Sequence, residues 1–163
     1  MRPVFLKRLV ALAIACSSVA ISQKSPTQGD KCAAPVPVAD AKYAPGQVWT
    51  YKTREKEPSS TLTILRIEST AKMGTIIYVR IDDTKIKNCS NGSVLTSIGH
   101  APFSKSAIDR SVVDLVRTEE KLPEFQEGYT DWLAHCGGVY KITVAEAVAA
   151  DESTLNSGAE CAR

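Results

Sequence analysis

The cysteines place the tightest constraint on how this chain can fold. Of the five, Cys16 lies in a leader, and Cys32, Cys89, Cys136 and Cys161 lie downstream of it. The leader has a basic start with Arg2, Lys7 and Arg8, then an apolar run over residues 9–16. Ser18, Val19 and Ala20 follow, with small residues where a cleavage site needs them. These are the parts of a secretory signal peptide over residues 1–20, and the run is far shorter than the ~20 apolar residues of a membrane span. An exported chain folds under oxidising conditions, so the four downstream cysteines read as two disulfides, with three pairings to choose among. They include no C-x2-C pair, which argues against zinc. The expected pairs are Cys89–Cys136 and Cys32–Cys161. The first would join the end of a strand to the end of a helix, and the second would pin the two chain ends together.

A second reading of the leader gives the same destination by another route. Ala13-Ile14-Ala15-Cys16 resembles a bacterial lipobox, with Ala13 standing where a bulky aliphatic residue is expected. The signal would then end at Ala15, and Cys16 would carry the lipid. The expected location is periplasmic or secreted under the first reading and a membrane-anchored lipoprotein under the second.

Charge narrows the partners. The chain has 20 basic and 18 acidic side chains. The three basic residues of the leader account for the excess, so residues 21–163 carry 17 basic against 18 acidic side chains. A near-neutral domain lacks the electrostatic footprint of a nucleic-acid binder. No phosphate-binding glycine loop, H-E-x-x-H or G-x-S-x-G motif occurs in the sequence, and no cofactor or metal is expected.

Residues 21–42 are rich in Ser, Pro, Gln, Ala and Asp without apolar periodicity, and are expected to be a flexible tether. The domain is expected over residues 43–163. Runs at 48–53, 61–69 and 75–82 alternate with period two and are rich in β-branched residues, so they predict an antiparallel meander. Residues 85–87 suggest a short fourth strand ended by a turn at 88–93. Ser104 can cap a helix with Ile108, Val112, Leu115 and Val116 on one face, stapled by Phe103. Pro123 opens a second helix carrying Phe125, Tyr129, Trp132, Leu133 and Cys136, ended by Gly137-Gly138. After a short strand at 139–142, Thr143 and Glu146 form a capping box for a helix to about Leu155. The order predicts an α+β fold: a mainly antiparallel sheet of about four or five strands with about three helices on one face.

Few residues suggest chemistry. His100, in a loop before the first helix, has Ser104, Ser106 and Asp109 nearby in sequence, but a triad is a spatial arrangement and short spacings do not make one. His135 falls in a helix's last turn, where a cation suits the dipole. Asp82 and Asp83 point to opposite faces of a strand, and Glu119-Glu120 sits in a linker, so neither makes a carboxylate dyad. Loops on a rigid sheet remain the expected recognition surface: Arg54, Glu55 and Lys56 in the first, Asn91 in the second, and His100 with Phe103 before the helix.

Pro45-Gly46-Gln47-Val48-Trp49-Thr50-Tyr51-Lys52-Thr53-Arg54, with later stretches at 60–64, 98–104 and 142–148, resembles a small uncharacterised bacterial domain family. The resemblance covers roughly residues 43–156 and implies one intact domain with no assigned catalytic residue. Its pattern does not require cysteines at 89 or 136, which implies that these two are a paired addition suited to export. Together these readings lead to a small, disulfide-stabilised, non-enzymatic binding protein of the bacterial envelope. Its expected partner is a protein there or an incoming toxin, as for an inhibitor or immunity protein. The alternatives are a small hydrolase with a site around His100 and a structural lipoprotein held through Cys16.

Overall fold

The computed structural model describes residues 32–158. The expected leader with Cys16, the first part of the expected tether, and Cys161 lie outside the described residues.

Six strands and three helices make up the unit: β1 (Val36–Pro37), β2 (Gln47–Tyr51), β3 (Thr61–Thr70), β4 (Gly74–Lys87), β5 (Val94–Ser104), α1 (Lys105–Ser111), β6 (Val112–Thr118), α2 (Gln126–Ala134) and α3 (Val144–Leu155). The sheet runs β5-β4-β3-β2-β6, with β1 beside the far end of β3, and every ladder between strands is antiparallel. This is the expected α+β class with one more strand than anticipated. No helix among the described residues is long and apolar enough to cross a membrane.

β4 sits at the centre of the packing. Ile76, Ile77, Tyr78 and Val79 are all fully buried, although successive residues point to opposite faces. Both faces of the sheet must therefore be covered. On one, Ile77, Val79 and Ile81 pack with Leu62, Ile64 and Phe103 against Ala107 and Ile108 of α1 and Val144, Ala147 and Val148 of α3. On the other, Leu65, Ile76 and Tyr78 pack under Tyr129, with Phe125, Trp132 and Leu133 around them. The helices are thus divided: α1 and α3 lie on one face and α2 on the other. Expecting all three on one face overlooked that β4 is apolar on both sides, the pattern of a strand covered twice.

The first helix is shorter than its apolar spacing suggested. Ser104 caps it by accepting from the Ala107 amide, as expected. It stops at Ser111, whose carbonyl accepts from the Lys52 amide at 2.9 Å, while its hydroxyl bonds the Ala107 carbonyl and accepts from the Val144 amide. Val112 then turns to extended backbone, and residues 112–118 join β2 as the edge strand β6. The Val-Val-x-Leu-Val run fits either period over so short a length, and the open edge of β2 decided between them.

His100 belongs to β5, not to a loop. Residues 139–142 contribute only one bridge, Tyr140 to Phe103. The Thr143–Glu146 capping box opens α3 as expected.

The N-terminal segment is held more firmly than a tether. Val36 and Pro37 pair with Ser69 and Glu68 of β3, and Asp40 accepts from the amides of Lys42 and Tyr43. Cys32 is bonded to Cys136, not to Cys161, and Cys136 therefore does not pair with Cys89. Cys136 ends α2 in the left-handed region at φ 50°, with the Gly137 amide reaching back to the Trp132 carbonyl and its own amide to that of Leu133. This is the usual glycine-type helix ending, carried here by the disulfide cysteine one position ahead of the Gly137-Gly138 pair. Cys89 is disulfide-bonded as well.

With Cys32 and Cys136 joined, the same four-cysteine arithmetic leaves Cys161 for Cys89. Non-reducing peptide mapping of the chain folded under oxidising conditions should recover a 32–136 link and an 89–161 link; an 89–136 peptide would contradict this arrangement. Removing Cys32 and Cys136 together should cost about 2–4 kcal/mol in urea unfolding.

Candidate binding surface

The charged loop between β2 and β3 folds back onto the protein. Arg54 donates from Nε and Nη2 to both oxygens of Glu57, at 2.6 and 2.8 Å, and from Nη1 to Glu152 of α3 at 2.6 Å. Lys56 reaches the same Glu152 at 2.6 Å. The backbone amides of Lys85 and Lys87 donate to Glu57 and Glu152 respectively. Glu57 is completely buried. This network ties the loop, the second half of β4 and α3 together, so Arg54 serves the fold's interior and Lys56 joins the network from its exposed rim, while Glu55 stays exposed. Burial opposes ionisation of Glu152, but Lys56, the Lys87 amide and Arg54 outweigh it and pull its pKa down to about 2.

The other expected contact residues do not converge either. Asn91 is exposed at the tip of the β4–β5 turn, where its Oδ1 accepts from the Ser93 amide. Phe103 is fully buried against Tyr140 in the core under α1 and α3. His100 faces the opposite side, stacked on Tyr78 with ring centroids 5.4 Å apart and edge-on to Tyr129. The two therefore do not share a surface, because three residues along a strand reverse the side chain.

Nor does a triad assemble around His100. Ser104 caps α1 and lies 3.2 Å from the Ser106 hydroxyl, and Asp109 bonds Tyr43 and Lys105. Among the described residues, His100 Nε2 and the Tyr78 hydroxyl are buried without hydrogen-bond partners. Burial lowers the His100 pKa, so its ring is held neutral. Asp82 is paired with Arg80, Glu119 with Arg117, and His135 lies against Asp131. The described residues contain no cluster of three or more His, Cys, Asp or Glu side chains able to hold a metal.

Beside His100 is an open cleft of about 570 Å³ between Gly99 and His100 of β5 and the start of α2, with Glu124, Phe125, Glu127 and Asp131 on its wall. Gly128 lets α2 approach this closely: a Cβ there would stand 2.8 Å from the His100 Cβ. Under Tyr129, Glu68 is buried, accepts from the Tyr129 hydroxyl at 2.9 Å and pairs with Arg66.

The surface missed by sequence reasoning is β6. Apart from half-buried Val112, all its residues are exposed, including Val113 at 54%, Leu115 at 47% and Val116 at 51%. β2 occupies one of its edges, and no described strand pairs with the other. Its pairing with β2 is irregular, with Thr50 Oγ1 accepting from the Asp114 amide and donating to its carbonyl. An exposed apolar edge strand is a template for pairing with another chain. The signal was present as a β-branched run, hidden by its equal fit to a helix. Comparison with protein-family models, curated proteins and solved structures finds no match for this chain.

Three variants test this arrangement. Arg54→Met should cost about 3–5 kcal/mol in urea unfolding, because it leaves Glu57 buried without its cation. Glu152 ionises more easily folded than unfolded, so its contribution is complete above about pH 4.5 and is lost as the pH falls towards 2; Glu152→Gln should flatten that acid limb. Gly128→Ala should destabilise by about 1–3 kcal/mol through overpacking, although alanine is the better helix former. A thermal midpoint higher in Gly128→Ala than in the wild type would mean that α2 does not rest on His100.

Proposed function

We propose that this protein is a small exported, disulfide-braced, non-enzymatic binding protein of the bacterial envelope that grips a protein partner along β6. The observation that carries the reading is the open edge of β6, with Val113, Leu115 and Val116 exposed on it. An incoming strand would take its backbone hydrogen bonds from that edge and its side-chain contacts from those three residues. The unit behind the edge is well braced: the disulfide, the Arg54–Glu57–Glu152 network and cores on both sheet faces hold it in place. A rigid edge spends little ordering entropy on binding, which suits an inhibitor or immunity protein that must hold an enzyme or toxin tightly.

The test is a non-reducing capture from envelope and secreted fractions with the exported chain as bait, run beside Leu115→Lys/Val116→Lys and Glu55→Lys. A stoichiometric partner should be retained by the wild type and Glu55→Lys and weakened by roughly 30-fold or more in the double variant, the scale of a lost hot spot. A partner held equally by the double variant would place the interface elsewhere. Absence of any partner above background would count against the binding reading itself.

A further inference from the structure

The second face of the sheet is covered by one nine-residue helix, and its two ends are held very differently. The C-terminal end is fixed covalently through Cys136 to Cys32. The N-terminal end begins at Phe125 with no side-chain cap. Under that loose end stands His100, with Gly128 pressed against its Cβ. The two buried, unpartnered side-chain polar atoms among the described residues, His100 Nε2 and the Tyr78 hydroxyl, both lie here.

We propose that the first turn and a half of α2 is an acid-released flap, held closed by the neutral His100 ring and opened when that ring takes a proton. The closed state has no acceptor for a second N–H on His100: the ring lies on Tyr78 and edge-on to Tyr129. The carboxylate beneath them, Glu68, is occupied by Tyr129 and Arg66, and on β4 Asp82 is occupied by Arg80. His100 is half-buried and borders the cleft, but a proton placed on its buried Nε2 finds no acceptor, which is costly, and the remaining charged groups around it line the cleft: Glu124, Glu127 and Asp131. The charged ring gains by turning outward to them. Gly128 seated on its Cβ blocks that turn, so the ring leaves only as the helix lifts. The disulfide keeps the far end of α2 in place, which makes the movement a hinge at Cys136. Opening would bare Leu65, Ile76 and Tyr78 of the sheet. This inference does not depend on β6 having a partner.

The direction follows from linkage. The open state binds a proton at His100 more readily than the closed one, so opening is favoured as pH falls below the ordinary histidine value of about 6.5 and levels off below the lowered value of the closed state. Hydrogen exchange of the full chain, disulfides intact and rates corrected for intrinsic pH dependence, should show α2 opening rise by about tenfold per pH unit within that window. Protection of β3 and β4 should hold, and emission from Trp132 should shift to the red. His100→Phe and His100→Gln, each checked for native β4 protection, should abolish the response, and His135→Gln should keep it. Unchanged α2 protection between about pH 7.5 and 5 in the wild type would overturn the proposal. So would an equal acid response in both His100 variants, which would assign it to the cleft carboxylates, or its loss in His135→Gln.

Discussion

Burial of β4 on both faces is the constraint from which the rest of this structure follows. Ile76 and Tyr78 point one way, Ile77 and Val79 the other, and none of the four reaches solvent. Each side then requires its own cover, because apolar surface left in water costs roughly 25 cal/mol per Å². The chain meets the two requirements unequally. One face receives α1, α3 and a core running from Tyr43 to Val148, whereas the other receives only α2 and a few side chains around Tyr129. The thin side is also where a disulfide is added, at the end of the helix that most lacks packing. Covalent closure there substitutes for area that a nine-residue helix cannot bury.

Polar groups follow the same asymmetry. On the well-covered face, burial is matched by partners: Ser111 is held by α1 and α3, Tyr43 bonds Asp109, and Glu57 is surrounded by Arg54 and the Lys85 amide. On the α2 side, Glu68 is satisfied, but the Tyr78 hydroxyl and His100 Nε2 are not. Unsatisfied buried atoms mark places where a fold has reserved less stability, and local openings come from such regions. The strand edge at β6 is a third kind of incompleteness: beyond Val112, its side chains and one row of its backbone groups lie outside both packed layers.

Much of this was legible from the sequence wherever a local signal had one physical meaning. Period-two alternation placed β2, β3 and the first part of β4 to within a few residues, although residues 85–87, expected as a separate strand, continue β4, and the Thr143–Glu146 capping box and Ser104 cap placed the starts of α3 and α1. Signals with two meanings were misread. Residues 112–116 satisfy both a helical and a strand spacing, and residues 36–37 look like linker because a proline-containing strand of two residues has no periodicity to show. His100 and Phe103 sit close in sequence yet belong to different faces, so proximity along the chain suggested a site that the pleat takes apart. Arg54 and Lys56 look like a solvated turn until Glu152, almost a hundred residues on, is brought to them.

What the sequence determined by itself is therefore local and compositional: the antiparallel meander, the capped helix starts and the α+β class that follows from their order. Those properties are set by backbone sterics and side-chain spacing within a few residues, so they need no knowledge of what lies across the fold. The tertiary structure alone decided which face each helix covers, that Cys32 meets Cys136, that Arg54 and Glu57 of the first loop turn inward and that β6 is left open. Each depends on which distant surfaces compete for the same neighbour, and a competition among surfaces is settled only when all of them are present at once.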